Sequence, residues 1–421
     1  MRVLYYIFIS LYPKIAWLIS GGNRKAALWL EGRKNIFDRL QEAFTNNTAP
    51  VIWMHCSSLG EFEQGRPVLE QIKQQYSKHK ILLTFFSPSG YEIRKDYKGA
   101  DWIFYLPMDS PSNARRFIQI TNPALVLFVK YEFWHYYLSA LKKREIPLLL
   151  ISAIFRKDQP FFKWYGRFHQ QMLQCVSHFF VQTDNAAALL ASIGYTRNVT
   201  IAGDTRFDRV IEIAEQFEPI RLIETFIGSA SQVIVAGSTW TEDDEELDHF
   251  ANTHPEIKFI IAPHDISEER IKECQTLYKH NLLFSHLKQS PEKPHTANAN
   301  VLIIDNIGML SRLYKYATIT YVGGAFGEDG VHNVLEAAVY YKPVIFGPEY
   351  DKYIEAAEVI GSGGGFSIEN ALELEELITE LIADEKKYRI AADAAGRYVE
   401  SKAGATQKIC SYIQEKRLLT N

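Results

Sequence analysis

The chain has 421 residues, of which 47% are hydrophobic and 23% charged, which are values of a globular protein long enough for two domains. The formal net charge of −4 gives no signature of nucleic-acid binding, so no nucleic-acid partner is expected. The four cysteines lack CxxC or CxxH spacing, which argues against a zinc site or a disulfide framework and fits a reducing compartment.

The first twenty residues, MRVLYYIFISLYPKIAWLIS, are apolar and aromatic but are interrupted by Pro13 and Lys14. No small-residue cleavage site follows them, so we do not expect a signal peptide. Four basic residues come next: Arg24, Lys25, Arg33 and Lys34. An apolar segment followed by basic residues is typical of a membrane anchor whose following domain is cytoplasmic. The alternative is a helix packed on the body of the protein.

Short apolar strands alternate with helical stretches in two series. The first series has seven strand candidates: Val51–His55, Ile81–Phe86, Ile103–Leu106, Ala124–Val129, Pro147–Ile151, His178–Val181 and Val199–Ala202. The second has five: Val233–Ala236, Phe259–Ala262, Val301–Ile304, Ile319–Val322 and Val344–Phe346. Such alternation predicts an α/β protein with parallel sheets covered on both faces.

Two doubly wound domains are therefore predicted, facing each other across a cleft at the carboxyl ends of their strands, where such folds bind ligands. The residues 217–220, FEPI, suit a linker. The predicted ranges are 1–34 for the anchor and its basic collar, 35–218 for the N-terminal domain and 219–421 for the C-terminal domain. Residues 281–300 are polar and are predicted as a surface loop.

Candidate site residues follow the strands of the first series. Ser58 and Glu61 have the S-x-x-E spacing of a capping box, but a carboxylate at that strand end could also take a proton from a hydroxyl. Glu132 follows another strand, and the local alternative is a solvated loop charge. Arg206 could face an anionic group, or could pair with Asp204 or Asp208.

The segment from Ile319 to Phe346 predicts a strand, a glycine-rich loop, a helix over Val334–Tyr341 and a further strand. Asn333 suits the helix N-cap. A helix N-terminus there would favour a phosphate, and Glu336 could reach a pair of ribose hydroxyls. The alternative is a plain glycine-rich turn, since neither GxGxxG nor GxxxxGK[ST] is present. His264 ends a neighbouring strand, although a lone histidine is more often structural. No pair of carboxylates of the DxD type demands a metal ion.

An ordered set of short motifs runs nearly end to end: Trp29…Gly32-Arg33, Ser58–Glu61, Thr84…Ser87–Gly90, Tyr105–Asp109, Glu132–Trp134, Ser152-Ala153, Gly203…Arg206–Asp208, Ala236–Thr239, Pro263-His264, Val322–Gly324, His332-Asn333…Leu335-Glu336 and Lys342–Val344…Phe346–Pro348. Together these motifs resemble the 3-deoxy-D-manno-octulosonic acid (Kdo) transferases of lipopolysaccharide synthesis. That family, glycosyltransferase family 30, has the two-domain fold called GT-B.

The resemblance implies transfer of Kdo from CMP-Kdo to a lipid A precursor (lipid IVA) at the cytoplasmic side of the inner membrane, with inversion and without metal or cofactor. It implies that Glu61 is the general base and that Glu132 and Arg206 help to stabilise the transition state. It also implies a CMP-binding set: Pro263, His264, Ile307, Gly308, Met309, Asn333, Val334, Leu335 and Glu336.

Five positions depart from the family's usual residues. Arg206 stands where Lys is more common, His264 replaces Arg and Met309 replaces Glu, while Val331 and Val334 stand where Gly and Pro are common. Two alternative functions remain open at this point. One is another GT-B enzyme, such as a nucleotide-sugar epimerase, which needs no anchor. The other is a catalytically silent membrane-bound nucleotide-sugar sensor, against which the carboxylate at position 61 argues.

Overall fold

The structure is a computed structural model that describes residues 2–289, 299–328 and 330–420. It divides the chain into two compact units, one of residues 1–209 with 403–421 and the other of residues 210–402. Each unit is built on its own seven-stranded sheet.

The first unit contains a sheet of order β3-β2-β1-β4-β5-β6-β7, in which every neighbouring pair is parallel. The strands are β1 (Val51–Cys56), β2 (Lys80–Phe85), β3 (Trp102–Tyr105), β4 (Pro123–Val129), β5 (Leu148–Ala153), β6 (His178–Val181) and β7 (Val199–Ile201). The strand order reverses between β1 and β4, which makes their carboxyl ends the topological switch point of a doubly wound fold. The central strands β1, β5 and β6 are buried along their whole length, as expected where helices cover both sheet faces.

The helices of this unit are α1 (Arg2–Ile19), α2 (Arg24–Glu31), α3 (Ile36–Phe44), α4 (Leu59–Gln75), α5 (Pro88–Arg94), α6 (Pro111–Thr121), α7 (His135–Lys143), α8 (Arg167–Leu173), α9 (Asp184–Ser192) and α10 (Thr205–Glu215), the last of which runs on into the second unit.

The second unit has the sheet order β10-β11-β9-β8-β12-β13-β14, again parallel throughout. Its strands are β8 (Val233–Thr239), β9 (Lys258–Pro263), β10 (Asn281–Leu283), β11 (Val301–Ile303), β12 (Ile319–Val322), β13 (Val344–Phe346) and β14 (Gly365–Ser367). The switch point lies between β8 and β12. Its helices are α11 (Arg221–Ile227), α12 (Thr241–Thr253), α13 (Glu268–Leu277), α14 (Phe284–Gln289), α15 (Leu310–Leu313), α16 (Leu335–Ala338), α17 (Ile354–Ser362), α18 (Ala371–Ala383) and α19 (Glu385–Ser401).

The last helix, α20 (Ala405–Glu415), packs in the first unit, although the sequence-based ranges assign it to the C-terminal domain. Ile409, Cys410 and Ile413 join the apolar core between the first sheet and α4. Asp208 fastens the start of the segment, because its carboxylate accepts hydrogen bonds from Gly404 N at 2.5 Å and Thr406 N at 2.6 Å.

The predicted surface loop over 281–300 is wrong for its first part, since residues 281–283 form β10 and residues 284–289 form α14. Residues 290–298 of that prediction lie outside the described residues. Asn281–Leu283 has three residues and forms the edge of its sheet, so it lacks the long apolar run by which the other strands are recognised.

Helix α1 packs on the first unit along one face. Tyr5, Ile9, Tyr12 and Ala16 repeat at intervals of four, three and four residues, and Ile9 and Ala16 are buried. The other faces expose apolar side chains, including Leu18 at 76% and Trp17 at 71%. By length and composition α1 could cross a membrane, and it is the one helix in the described ranges that meets this test. The packed face of α1 therefore supports the alternative of a helix packed on the protein, and its exposed apolar faces support the membrane anchor.

Arg33, which the sequence assigns to a basic collar, is not available to a membrane surface. Its guanidinium lies 4.0 Å from the ring centroid of Trp29 and 4.8 Å from that of Tyr105. It donates hydrogen bonds to the carbonyl oxygens of Leu106 at 2.9 Å and Phe86 at 2.8 Å. Burial lowers the pKa of Arg33 to about 9. This cation therefore fixes α2 to the first sheet.

Candidate active site

Glu61 lies at the carboxyl end of β1, in the first turn of α4. Its Oε2 accepts a hydrogen bond from Ser58 N at 2.9 Å and another from Ser58 Oγ. The capping role predicted for Glu61 is therefore observed in the structure. These bonds go to Oε2, and within the described residues none reaches Oε1, so the carboxylate can cap the helix and still present one oxygen.

Glu132 is held by two rings rather than solvated. The chain leaves β4 through Lys130, whose φ of 62° turns it sharply. Glu132 Oε2 then accepts a hydrogen bond from Trp134 Nε1 at 2.7 Å and lies 3.2 Å from His55 Nε2. His55 is buried in β1, and its Nδ1 lies 2.9 Å from Thr84 Oγ1. With a side chain only 13% exposed, Glu132 is a positioned carboxylate, and the solvated-loop alternative is wrong.

The two carboxylates share one neighbourhood because β1 and β4 are adjacent strands. Burial raises the pKa of the Cys56 thiol at the end of β1, and the negative charges of Glu61 and Glu132 raise it further. The charges of both carboxylates therefore reach the same thiol, that of Cys56, at the switch point of the first sheet. An inert, neutral thiol is the expected state of Cys56.

Arg206 pairs with Asp204, which is one of the two partners that the sequence offered as an alternative to an anionic ligand. Its Nε donates to Asp204 Oδ2 at 2.8 Å, and its backbone N–H donates to Oδ1 at 2.9 Å. Asp204 is buried and also accepts a bond from Gln64 Nε2 on α4 at 3.3 Å. The guanidinium is 31% exposed, so Asp204 orients a cation that still meets solvent.

In the second unit, His264 belongs to a stack of three aromatic rings. It follows β9 and is stacked on Trp240 at 4.7 Å between ring centroids and on His332 at 4.5 Å. Trp240 Nε1 donates to His332 Nε2 at 3.2 Å. His264 is exposed, so it is not a satisfied core histidine. Trp240 and His332 were missed as site residues, although Trp240 directly follows the motif Ala236–Thr239 and His332 belongs to the motif His332-Asn333…Leu335-Glu336.

The glycine-rich loop after β12 is fastened by Asp243 of α12. Its carboxylate accepts hydrogen bonds from Gly324 N at 2.8 Å, Trp240 N at 2.9 Å and Tyr321 OH at 2.8 Å. Burial raises the pKa of Asp243, and these hydrogen bonds oppose that shift. Gly324 has φ 98°, and a Cβ there would lie 2.6 Å from Gly330 O, so no other residue fits this turn.

The helix predicted over Val334–Tyr341 is shorter than expected, since α16 has one turn, Leu335–Ala338. Tyr341 adopts φ 58° ahead of Pro343 and the chain turns there. The N-cap of α16 is Val334, one residue after the predicted Asn333, and it has no capping side chain. Asn333 Oδ1 accepts from Leu335 N at 3.3 Å, and its Nδ2 donates to Glu336 Oε1 at 2.9 Å. A single turn carries little dipole, so the phosphate expectation rests on the loop rather than on this helix.

The remaining predicted CMP-binding residues differ widely in exposure. Ile307 is 84% exposed and Gly308 has φ 95°, whereas Met309 is 8% exposed. Val334 and Leu335 are fully buried. Buried apolar side chains can offer a ligand only their backbone groups. Within the described part of the chain, no three His, Cys, Asp or Glu side chains are grouped to hold a metal ion.

Comparison with known proteins gives the arrangement its context. Residues 34–209 match the family model described as 3-Deoxy-D-manno-octulosonic-acid transferase (kdotransferase). The 3-deoxy-D-manno-octulosonic acid transferase of Aquifex aeolicus is 27% identical over 366 residues, which are 84% of this chain and 93% of the relative. The chain is a homologue of the Kdo transferases. The Haemophilus influenzae enzyme of the same description is 25% identical over 374 residues, 86% of each chain.

The resemblance found in the motifs is therefore confirmed. The comparisons support the function of a Kdo glycosyltransferase in lipopolysaccharide synthesis. Among solved structures, the crystal structure of UDP-GlcNAc 2-epimerase from Neisseria meningitidis bound to UDP-GlcNAc matches with a TM-score of 0.63. That match covers 87% of this chain and all of the epimerase, at 17% identity. Identity this low shows the fold alone. The predicted class, an α/β protein of the GT-B type with two doubly wound Rossmann-like domains, is confirmed.

Proposed function

We propose that this chain transfers Kdo from CMP-Kdo to a lipid A precursor, lipid IVA, with inversion at the anomeric carbon and without a metal ion or other cofactor. The observation that carries the proposal is the pair of anchored carboxylates, Glu61 and Glu132, at the carboxyl ends of β1 and β4. They lie in a homologue of the Kdo transferases, at the switch point where doubly wound folds bind ligands.

In this reaction the acceptor hydroxyl oxygen forms a bond to the anomeric carbon as the bond to the CMP phosphate breaks. Glu61 takes the hydroxyl proton through the carboxylate oxygen that Ser58 does not bind, and CMP leaves with the bonding electrons. Glu132, held by Trp134 and His55, lies ready to oppose positive charge at the sugar ring. Arg206 supplies a cation for the anionic donor. Fixed groups of this kind lower the barrier because they need no reorganisation.

The donor nucleotide is assigned to the second unit. Glu336 accepts hydrogen bonds from the ribose hydroxyls, and Asn333 holds Glu336 for that contact through the bond at 2.9 Å. The exposed ring of His264 offers a flat surface for the base, backed by Trp240 and His332. The glycine-rich loop after β12 lies at the switch point of the second sheet, where doubly wound folds bind ligands, and is assigned to the phosphate.

We further propose that α1 holds the protein at the cytoplasmic face of the inner membrane and lies in the interface rather than crossing it. One face of α1 is already packed on the first unit through Ile9 and Ala16, and the opposite faces are exposed and apolar. A helix that keeps both contacts must lie along the protein surface, as interfacial helices do. A lipid acceptor would then share this surface with the enzyme.

The experiment that tests the function is release of CMP from CMP-Kdo by the detergent-solubilised protein, with and without lipid IVA. Transfer requires CMP release that depends on lipid IVA, together with a lipid product whose mass has grown by one Kdo or more. Binding of CMP-Kdo without CMP release would favour the sensor. Conversion of UDP-GlcNAc to its 2-epimer, without transfer, would favour the epimerase.

A further inference from the structure

The start of helix α7, directly after the Glu132 loop (residues 130–134), is capped from another part of the chain. Its N-cap residue, Trp134, provides no capping side chain. Instead, Asp109 accepts hydrogen bonds from Tyr136 N at 3.0 Å and Tyr137 N at 3.1 Å. Tyr5 of α1 accepts a third from His135 N at 3.2 Å. The first three N–H groups of α7, which have no partner within a helix, are thus satisfied by Asp109 and the anchor helix.

Tyr5 also holds Asp109 itself. Its hydroxyl donates to Asp109 Oδ2 at 2.5 Å, and Asp109 is 1% exposed. A buried carboxylate of this kind needs each of its hydrogen-bond donors. Membrane attachment needs only apolar exposed faces, so it gives no reason for a polar contact on the packed face of α1.

A second route joins α1 to the same loop through aromatic rings. Tyr12 lies 5.6 Å from Phe86 between ring centroids, and Phe86 lies 4.6 Å from Trp134 at an interplanar angle of 33°. Trp134 donates the 2.7 Å hydrogen bond to Glu132 Oε2. Tyr12 and Tyr5 are both on the packed face of α1, so the helix supports the Glu132 loop at its tryptophan and at its junction with α7.

We propose that α1 is a positioning element of the active site, in which Tyr5 and Tyr12 hold the Glu132 loop in its reactive geometry. Turnover then requires a docked α1 even where no membrane is present. This inference rests on the proposed function, because it concerns the turnover in which Glu132 takes part. It also predicts that residues 1–20 cannot be deleted without loss of activity, whatever the solubility of the truncated protein.

The test uses full-length protein in detergent, so that membrane attachment does not limit the rate. Tyr5→Phe removes one hydroxyl, and its matched control is Tyr6→Phe on the exposed side of the same helix, where Tyr6 is 56% exposed. Tyr12→Leu removes the ring that contacts Phe86, with Tyr6→Leu as its control. We expect Tyr5→Phe and Tyr12→Leu to lower kcat by roughly tenfold, the size of a coupling between contacting residues. The KM for CMP-Kdo and the kcat of both controls should stay unchanged.

Two further measurements separate positioning from a general loss of structure. In a Glu132→Gln background, Tyr5→Phe should add little, because its effect passes through Glu132. Amide hydrogen exchange at the start of α7 should be faster in Tyr5→Phe than in Tyr6→Phe, and this readout needs no activity. Equal kcat in variants and controls, or a full additional loss in the Glu132→Gln background, would overturn the inference. If even the wild type transfers no Kdo, the proposed function fails, and unchanged exchange at α7 would then overturn this inference separately.

Discussion

Replacement of Glu61 by glutamine distinguishes the capping role of this residue from its proposed role as base. Glutamine keeps an oxygen that can accept from Ser58 N, as Glu61 Oε2 does at 2.9 Å, since Gln also serves in a capping box. It cannot take up a proton at neutral pH. Turnover should therefore fall by about 10²- to 10⁴-fold, the usual contribution of general base catalysis, whereas the melting temperature should stay near that of the wild type.

Glu61→Ala removes both the helix cap and the proposed base, so it shows how much stability the cap contributes. Loss of a helix cap costs about 0.5–2 kcal/mol, which corresponds to a fall of roughly 1–8 °C in melting temperature for a domain of 150–250 residues. Thr183→Ala is the matched control, because Thr183 Oγ1 caps α9 in the same unit by accepting from Ala186 N at 3.2 Å. It should lower the melting temperature without a loss of turnover.

Each preparation is assayed for CMP release with lipid IVA and for thermal unfolding. Wild-type turnover in Glu61→Gln would refute the base and leave only the cap, and Glu132 would be the next residue to replace. Equal losses of turnover in Glu61→Ala and Thr183→Ala would show that capping alone explains the effect.

Three further predictions concern the nucleotide, the membrane and pH. Glu336→Ala should weaken CMP binding by about 10- to 150-fold, because the ribose loses charge-assisted hydrogen bonds of roughly 1.5–3 kcal/mol; unchanged affinity by calorimetry would remove Glu336 from the site. Leu18→Asp on α1 should reduce co-sedimentation with anionic vesicles. Ile390→Asp, at another exposed apolar position (60%) on α19, should not. Equal binding by both variants would contradict the anchor. Burial raises the pKa of Asp109 from 3.8 to about 6, so the stability it contributes is full below pH 3.8 and is lost as pH rises through 6. The melting temperature of the wild type should fall relative to that of Asp109→Asn over that interval, and a constant difference would show that Asp109 does not titrate there.

The sequence predicted the sheets well because their strands are buried on both faces and appear as uninterrupted apolar runs. β4, PALVLFV, and the residues FIIAP of β9 are two such runs. The edge strands β10 and β14 have three residues each, and pairing with a neighbour rather than their own composition makes them strands. The extent of α16 was overestimated for a related reason, since the left-handed conformation of Tyr341 leaves no local signal in a non-glycine residue.

In the candidate site too, contacts between residues close in sequence were predictable, and contacts between distant residues were not. The contacts of Glu61 were predictable because both partners lie within one S-x-x-E motif. Glu132 was taken locally for a solvated charge, because the ring that faces it, His55, lies 77 positions earlier in the chain. The stack of Trp240, His264 and His332 draws on three loops, and only the parallel order of the sheet brings these loops together.

The two proposed catalytic carboxylates are held in the same manner. In each, the hydrogen bonds from the protein go to Oε2: Ser58 binds that oxygen of Glu61, and Trp134 and His55 bind that of Glu132. Across the described residues no hydrogen bond reaches either Oε1. A carboxylate fixed through one oxygen keeps its direction without losing its capacity to accept a proton or to face a developing positive charge, which is what a preorganised site requires. The contacts that explain each residue structurally are therefore also those that would make it effective in catalysis, so a capping box at position 61 supports the proposed base rather than competing with it.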